Sequence, residues 1–168
     1  MQHNIADECI LEVGGVMTIA AVWREEDVLW CVSDTRLSRP GKSGLIVTSD
    51  SGAKIFPLLM MCRQTASIDP AGYPVVYQPH FIRRLGVVFA GNILIASQVI
   101  ATVTSLCQSL ETIEHGAVPK LSDIGELLRK ITEVYVRDFR SATNDMGTPN
   151  LADFLLFGGC PVSNDLQI

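Results

Sequence analysis

Three side chains in the first third of the chain have the types and order needed for nucleophilic catalysis. Thr18 begins the apolar segment TIAAVW, Asp34 lies in the segment SDTR, and Lys54 lies in the segment AKIF. A threonine with a free α-amine can use that amine as the base for its own hydroxyl, so no histidine is needed. An α-amine has a pKa of about 7.7–8.0, which leaves a useful neutral fraction at physiological pH. This chemistry requires Thr18 to become the first residue of the mature chain.

Each of the three residues also fits an ordinary structural role. Strands favour β-branched residues, so Thr18 fits a strand position without any chemistry. Asp34 fits a turn at the end of a hairpin strand, and Lys54 fits a solvated surface position, where most lysines lie. The residue types alone therefore leave both interpretations open.

Four separated segments resemble one known family. They are MTIAAV, VLWCVSDTRLS, GAKIFPL and LGVVFAGNILIAS, and in sequence and order they are similar to the proteasome-type threonine hydrolases. That family includes the proteasome β subunits, the bacterial heat-shock protease subunit and smaller bacterial proteasome homologues. The resemblance extends from Met17 to about Gly159. Because four motifs agree, it is more specific than the SDTR motif alone would be.

The resemblance implies a role for each candidate residue. Thr18 is expected to be the nucleophile, and Asp34 is expected to hold Lys54 beside the threonine hydroxyl, where a cation would lower the hydroxyl pKa. Gly91 is expected to direct its backbone N–H at the developing oxyanion, at the positive end of a helix dipole. A simple strand-to-helix turn also explains Gly91. Arg36 is expected to form an ion pair beneath the site.

The order of apolar patterns predicts strands, two long helices and then a further strand, which is typical of the α+β class. The resemblance implies the Ntn-hydrolase αββα sandwich of four layers, with its C-terminal part missing, since family members continue for several strands beyond the segment FLLFGG. Residues 1–17 are expected to be a leader, or a segment upstream of a true start at Met17. Removal of Met17 by methionine aminopeptidase would then expose Thr18. Residues 18–168 are expected to form the incomplete hydrolase domain.

The individual elements follow from periodicity and turn residues. Asn92 is the predicted N-cap of the first helix and Ser122 that of the second. The apolar stripe of the second helix contains Ile124, Leu127, Leu128, Ile131, Tyr135 and Phe139. The predicted strands are Thr18–Trp23, Val28–Ser33, Leu45–Thr48, Lys54–Leu58, Leu85–Ala90 and Asp153–Phe157. The first helix is predicted over Ile93–Glu114. The predicted loops are Arg39–Gly44 and Leu59–Arg84.

Composition restricts the partners. The chain has 168 residues, 48% of them hydrophobic, and a net charge of −5, which predicts one domain with a buried core. The chain has no run of basic residues, so we do not expect it to bind nucleic acid. It has no uninterrupted apolar stretch of ~18 residues, so we do not expect a transmembrane helix. The five cysteines contain no CxxC pair and are expected to be buried free thiols, with no metal and no cofactor. Trp23 and Trp30 are expected in the core.

The function expected from these residues is hydrolysis of a peptide or amide by an N-terminal threonine. The acidic leader has no basic start and no apolar centre, so it does not predict secretion and we expect a cytoplasmic protein. The resemblance implies a homo-oligomer, with an ATPase or another subunit as a partner. Two alternatives remain open: a catalytically inactive structural subunit of such an assembly, and a small α+β binding module without a nucleophile.

Overall fold

The computed structural model describes residues 8–12, 19–41, 44–112, 116–143 and 152–168. The described residues mix sheets with two helices, which confirms the α+β class. No helix in these ranges is both long enough and apolar enough to span a bilayer. In chain order the elements are β1 (Glu8–Glu12), β2 (Ile19–Glu25), β3 (Val28–Ser33), β4 (Leu37–Gly41), β5 (Gly44–Ser49), β6 (Ile55–Ile68), β7 (Pro74–Gly91), α1 (Ile93–Cys107), β8 (Leu110–Thr112), α2 (Leu121–Thr143), β9 (Ala152–Gly159) and β10 (Leu166–Gln167).

The strands form three sheets. The largest has the order β10-β9-β7-β6-β8, in which β8 runs parallel to β6 and the other neighbours are antiparallel. A second sheet has the order β1-β2-β3, and β4 pairs with β5 in a separate ribbon. The β2–β3 hairpin was predicted from its apolar alternation and is confirmed, with Trp23 opposite Trp30 in the register.

Alternation along β7 divides the core into two clusters. Leu85, Val87 and Phe89 face α1 and α2, whereas Val88 faces the other way and packs with Ala20 and Val22 of β2. Full burial of such side chains stabilises a fold by roughly 1.5–3 kcal/mol each. The described residues therefore build three layers: two helices, the five-stranded sheet and the three-stranded sheet. An αββα sandwich needs a further helical layer, so that arrangement stays a prediction.

The first helix begins as predicted but ends earlier. The Asn92 side chain accepts hydrogen bonds from the backbone N–H groups of Leu94 and Ile95, at 2.9 and 3.4 Å, which confirms it as the N-cap. The predicted end at Glu114 is wrong, because α1 ends at Cys107 and Leu110 begins strand β8 opposite Cys62 of β6. Leu110 has the helical spacing, but one apolar residue after a turn fits a strand equally well.

The second helix has its predicted apolar stripe but a different first residue. Ile124 and Leu128 are buried, and the other members of the stripe pack against the same core. Ser122 is not the N-cap, because α2 begins at Leu121. Lys120 occupies the capping position, since its carbonyl accepts the N–H of Asp123 at 3.1 Å and its own N–H donates to the Asp123 carboxylate at 2.8 Å. This reciprocal pair resembles a capping box with an acid three residues after the cap.

The segment Leu59–Arg84 was predicted to be a long loop, and this prediction is wrong. It forms most of the β6–β7 hairpin, whose register runs from Ile55 opposite Val88 to Ile68 opposite Pro74. The turn is closed by Asp69, whose carboxylate accepts the Tyr73 N–H at 2.7 Å. Extended pairing satisfies the backbone groups that a loop of this length would leave without partners.

Two smaller predictions also need correction. The Arg39–Gly44 segment was predicted to be a loop from its proline and glycines, but β4 continues to Gly41 and pairs with β5, which begins at Gly44. Residues 42 and 43 of the predicted loop lie outside the described residues. Among the described residues this ribbon has only two strands, and proline is tolerated on edge strands of this kind. Trp23 and Trp30 were both predicted in the core, and this is wrong: they stack on each other on the outer face of the three-stranded sheet, where Trp30 is 49% exposed.

The free thiols agree with the prediction where they are described. Cys62, Cys107 and Cys160 are free and buried, and Cys31 is free and partly buried. The side chain of Cys9 lies outside the described residues.

Candidate functional site

A buried ion pair joins two of the predicted site residues. The Lys54 Nζ atom lies 2.9 Å from Oδ1 and 2.8 Å from Oδ2 of Asp34, so it contacts both oxygens of the carboxylate. Lys54 is only 3% exposed, whereas the Asp34 side chain is 30% exposed. A lysine is rarely buried to this extent unless a counter-charge compensates its lost hydration. The pairing that the sequence predicted is confirmed, and its role in catalysis stays a prediction.

Asp34 is fixed at the start of β2 by its backbone and by its side chain. Its N–H donates to the Ile19 carbonyl at 3.0 Å, which extends the β2–β3 ladder by one residue beyond Ser33. Its Oδ1 atom accepts the Ile19 N–H at 3.1 Å. The carboxylate therefore bridges the Ile19 backbone nitrogen and the Lys54 ammonium. Such charge-assisted bonds are stronger than neutral ones and orient the carboxylate.

Lys54 is positioned by the large sheet. It directly precedes β6, and its carbonyl accepts the Phe89 N–H of β7 at 3.2 Å. Phe89 is itself buried in the main core, so the backbone at Lys54 is anchored to a rigid strand. The pair thus connects the two sheets: Asp34 belongs to the three-stranded sheet and Lys54 to the five-stranded sheet.

Gly91 ends the same strand that anchors Lys54. It lies two residues after Phe89, opposite Ala152 of β9, and immediately before the N-cap Asn92. Its φ angle is +108°, a conformation that side-chain-bearing residues rarely adopt, so glycine is required by the backbone here. The first turn of α1 places the positive end of its dipole next to Gly91.

Thr18 lies outside the described residues. Its covalent neighbour Ile19 is described, and the Ile19 nitrogen is the atom that donates to Asp34. Arg36 forms the expected ion pair, with Asp50 at 2.8 Å, but both side chains are more than half exposed. That pair is a surface contact, which contributes little to stability.

Two titratable groups were missed by the sequence interpretation. Burial raises the pKa of the Asp153 carboxyl, which lies on the otherwise apolar strand β9. Hydrogen bonds from Ser163 and from the Leu121 N–H at the start of α2 lower the pKa of the Cys160 thiol to about 7. A single acid within the segment ADFLLFGG was a visible signal for Asp153. No sequence signal pointed to Cys160: the Leu121 N–H comes from a distant part of the chain, and the nearby Ser163 forms no recognisable motif with the cysteine.

Comparison of the chain with models of known protein families, with curated proteins and with solved structures found no match. The assignment of a function therefore depends on the site geometry and on the residues that the sequence places beside it.

Proposed function

We propose that this chain is an N-terminal-threonine hydrolase of the proteasome-like type, which cleaves peptide or amide bonds with Thr18 as the nucleophile. The observation that carries the proposal is the Asp34 carboxylate, which contacts both the Lys54 ammonium and the Ile19 N–H. Ile19 directly follows Thr18, so Asp34 accepts a hydrogen bond from the nitrogen of the peptide bond that joins Thr18 to Ile19.

The reaction uses the free amine of Thr18. The amine takes the proton of the Thr18 hydroxyl as the oxygen attacks the substrate carbonyl, and a tetrahedral oxyanion forms. The Gly91 N–H, beside the positive end of α1, stabilises that oxyanion. Collapse of the intermediate breaks the C–N bond, and the departing amine takes the proton. Water then attacks the Thr18 ester, which releases the acid and regenerates the hydroxyl.

Lys54 and Asp34 prepare the nucleophile. A buried ammonium beside the hydroxyl stabilises negative charge as it develops on the oxygen, and burial strengthens this effect because little water screens it. Asp34 keeps the ammonium oriented and compensates its charge. This role agrees with the near-complete burial of Lys54 and the part exposure of Asp34.

The same proposal includes assignments of fold, assembly, partner and location. They are the αββα sandwich, a homo-oligomer, an ATPase or other subunit as a partner, and a cytoplasmic location. The layered packing of helices on one sheet and of that sheet on a second supports the sandwich. The exposed apolar side chains on the outer face of the three-stranded sheet, Ile19, Val28, Trp30 and Val32, support burial by a further layer or subunit.

A specific observation favours the second candidate, a catalytically inactive structural subunit. Strand β1 precedes Thr18 in the chain and pairs along β2, with Glu12 opposite Ile19 and Glu8 opposite Trp23. While β1 remains attached, the Thr18 nitrogen is part of a peptide bond and cannot act as a base. A chain that is never cleaved there would be inactive.

Controlled cleavage distinguishes the two candidates. A factor Xa site replacing the residues before Thr18 allows cleavage directly ahead of Thr18 while β1 can remain paired with β2. We expect hydrolysis of a fluorogenic peptide only after cleavage. The Thr18→Ala chain, cleaved in the same way, should show no hydrolysis. If both cleaved chains are inactive while their circular dichroism is unchanged, the inactive subunit is the better description.

A further inference from the structure

The β4–β5 ribbon connects the two members of the Asp34–Lys54 pair along the chain. Residues 34–36 lead into the ribbon, and residues 50–54 lead out of it to β6. Within the described residues, β4 and β5 pair only with each other and belong to neither of the two larger sheets. No strand pairing therefore holds the ribbon on those sheets, and a movement of the ribbon would reach Asp34 and Lys54 through the connecting residues.

Thr35 joins the entering and leaving segments through two hydrogen bonds. Its carbonyl accepts the Gly52 N–H at 2.8 Å, and its hydroxyl donates to the Asp50 carbonyl at 2.7 Å. Both partners are main-chain groups, so the bonds fix the course of the backbone in the leaving segment. Thr35 thus ties the position directly after Asp34 to a position two residues before Lys54.

The Thr35–Gly52 bond closes a small ring that contains the ion pair. Asp34 and Lys54 are 20 residues apart along the chain, but through this bond the connection consists only of Asp34, Thr35, Gly52, Ala53 and Lys54. The entropic cost of holding two groups together rises with the length of the flexible connection between them. Lys54 is only 3% exposed, so a shift that separated the pair would leave a buried charge without compensation.

The other contacts between these two segments set their spacing less firmly. The Arg36–Asp50 ion pair joins the same segments, but both of its side chains are more than half exposed, so water competes with that contact. Gly52 has a steric requirement of its own, because a Cβ atom at this position would clash with the Leu37 side chain at the start of β4. The close approach of Gly52 to Thr35 therefore depends on the absence of a side chain.

We propose that Thr35 is a positioning residue for the Asp34–Lys54 pair. By holding Asp50 and Gly52 against the residue that follows Asp34, it keeps the Lys54 ammonium on the carboxylate. The consequence for hydrolysis rests on the proposed function, in which Lys54 assists the nucleophile. The effect of Thr35 on the geometry of the pair does not depend on that function.

Substitutions at position 35 test the role of the hydroxyl. In the chain cleaved before Thr18, Thr35→Val should lower kcat ~10-fold or more with little change in KM, because a misplaced group slows the chemical step. Thr35→Ser keeps the donor and should retain most of the rate. Thr48→Val is the matched control, because the Thr48 hydroxyl donates to the Leu37 carbonyl at 3.0 Å within the ribbon. Its loss should leave the rate unchanged.

A double-mutant cycle separates positioning from a general loss of stability. In a Lys54→Ala background, Thr35→Val should cause less than ~2-fold further loss, because the group that Thr35 positions is no longer present. Gly52→Ala should resemble Thr35→Val. Adding Leu37→Ala to Gly52→Ala should recover part of the rate, because it removes the side chain with which the new methyl clashes.

Amide hydrogen exchange measures the geometry without catalysis. In the uncleaved chain, Thr35→Val should accelerate exchange of the Gly52 and Ile19 amides ~10-fold, because one donates to Thr35 and the other to the Asp34 carboxylate. The Thr35→Ser and Thr48→Val chains should exchange at the wild-type rate at both amides.

The two measurements fail in different ways. Faster exchange in Thr35→Val, with no hydrolysis by any cleaved chain, would contradict the proposed function and support the positioning role. Unchanged exchange at Gly52 and Ile19 in Thr35→Val would overturn the positioning role. So would a loss of rate from Thr35→Val that is equally large with and without Lys54.

Discussion

Asp34 and Lys54 are 20 residues apart in the chain, yet the Lys54 ammonium contacts both oxygens of the Asp34 carboxylate, at 2.9 and 2.8 Å. The contact joins a residue at the end of the first hairpin to one at the start of the long β6–β7 hairpin. It therefore couples the backbone position of Ile19 to the five-stranded sheet.

Removing either member of the pair should lower activity. In the chain cleaved before Thr18, Lys54→Ala should reduce the rate at least ~10²-fold, the usual scale for a group that assists proton transfer. Asp34→Asn should have a similar effect, because it leaves Lys54 without its counter-charge. The double variant should lose little more than either single one, because the two residues act as a unit.

The exposed pair between Arg36 and Asp50 provides the control for these variants. Arg36→Ala should change the rate and the free energy of unfolding by little, since an exposed ion pair contributes ~0–1 kcal/mol. Steady-state rates on a fluorogenic peptide, with urea unfolding of each variant, separate lost chemistry from lost folding. Additive losses for Lys54→Ala and Asp34→Asn would show that the pair does not act as one unit.

Substitution of the nucleophile should distinguish chemistry from structure. After cleavage before residue 18, Thr18→Ser should keep measurable activity, because a hydroxyl and a free α-amine both remain. Thr18→Ala should have none, while its far-ultraviolet circular dichroism matches that of the unsubstituted chain. Equal rates for Thr18→Ala and the unsubstituted chain would remove Thr18 from the mechanism.

Two glycines should respond to alanine in opposite ways. Gly125→Ala should raise the free energy of unfolding by roughly 0.5–1 kcal/mol, because alanine favours the helix and the added methyl meets no neighbour. Gly86→Ala should lower it, because a Cβ on Gly86 would clash with the Phe157 ring. Urea denaturation measures both. A stabilising Gly86→Ala would show that the packing of β7 against β9 differs from the one described.

The thiols give a dependence of stability on pH with a definite sign. The Cys160 pKa is lowered to about 7 in the folded chain, from about 8.5 for a free thiol. Its contribution is therefore fully present above pH ~8.5 and is lost as the pH falls through 7. The difference in unfolding free energy between the wild-type chain and Cys160→Ala should grow from pH 6 to pH 9.

Cys107 should behave in the opposite way. Burial and the nearby Cys62 raise its pKa to about 11, so the stability of the neutral thiol is present below pH ~8.5 and is lost as the pH rises through 11. Unfolding in urea with a reductant present, at each pH, compares Cys107→Ala and Cys160→Ala with the wild-type chain. A pH-independent difference for Cys160→Ala would contradict the hydrogen bonding around its sulfur.

Local sequence signals predicted the elements that position the site. The apolar alternation on both sides of a short polar turn predicted the β2–β3 hairpin, and Asn92 followed by a helical period predicted the start of α1. The pairing of Asp34 with Lys54 could not be derived from spacing, because it depends on how two sheets pack. It was predicted through the resemblance of the surrounding segments to one family.

The failures share one physical cause. The β6–β7 hairpin was missed because it is held by pairing between residues far apart in the chain. The sequence of Leu59–Arg84 carries no local pattern that reveals such pairing. Leu110 and Trp30 were misplaced because hydrophobicity alone does not say which surface will cover a side chain. In each case the deciding interaction is tertiary, so a local pattern could not identify it.

Covalent labelling of the chain cleaved before Thr18 tests directly whether Thr18 is the nucleophile. An epoxyketone or β-lactone electrophile should add to that chain, and digestion followed by mass spectrometry should locate the added mass on the peptide that begins at Thr18. The uncleaved chain and Thr18→Ala should not be labelled, and Lys54→Ala should be labelled much more slowly. Absence of labelling in the cleaved and folded chain, or labelling that is equal in Thr18→Ala, would contradict an N-terminal threonine nucleophile.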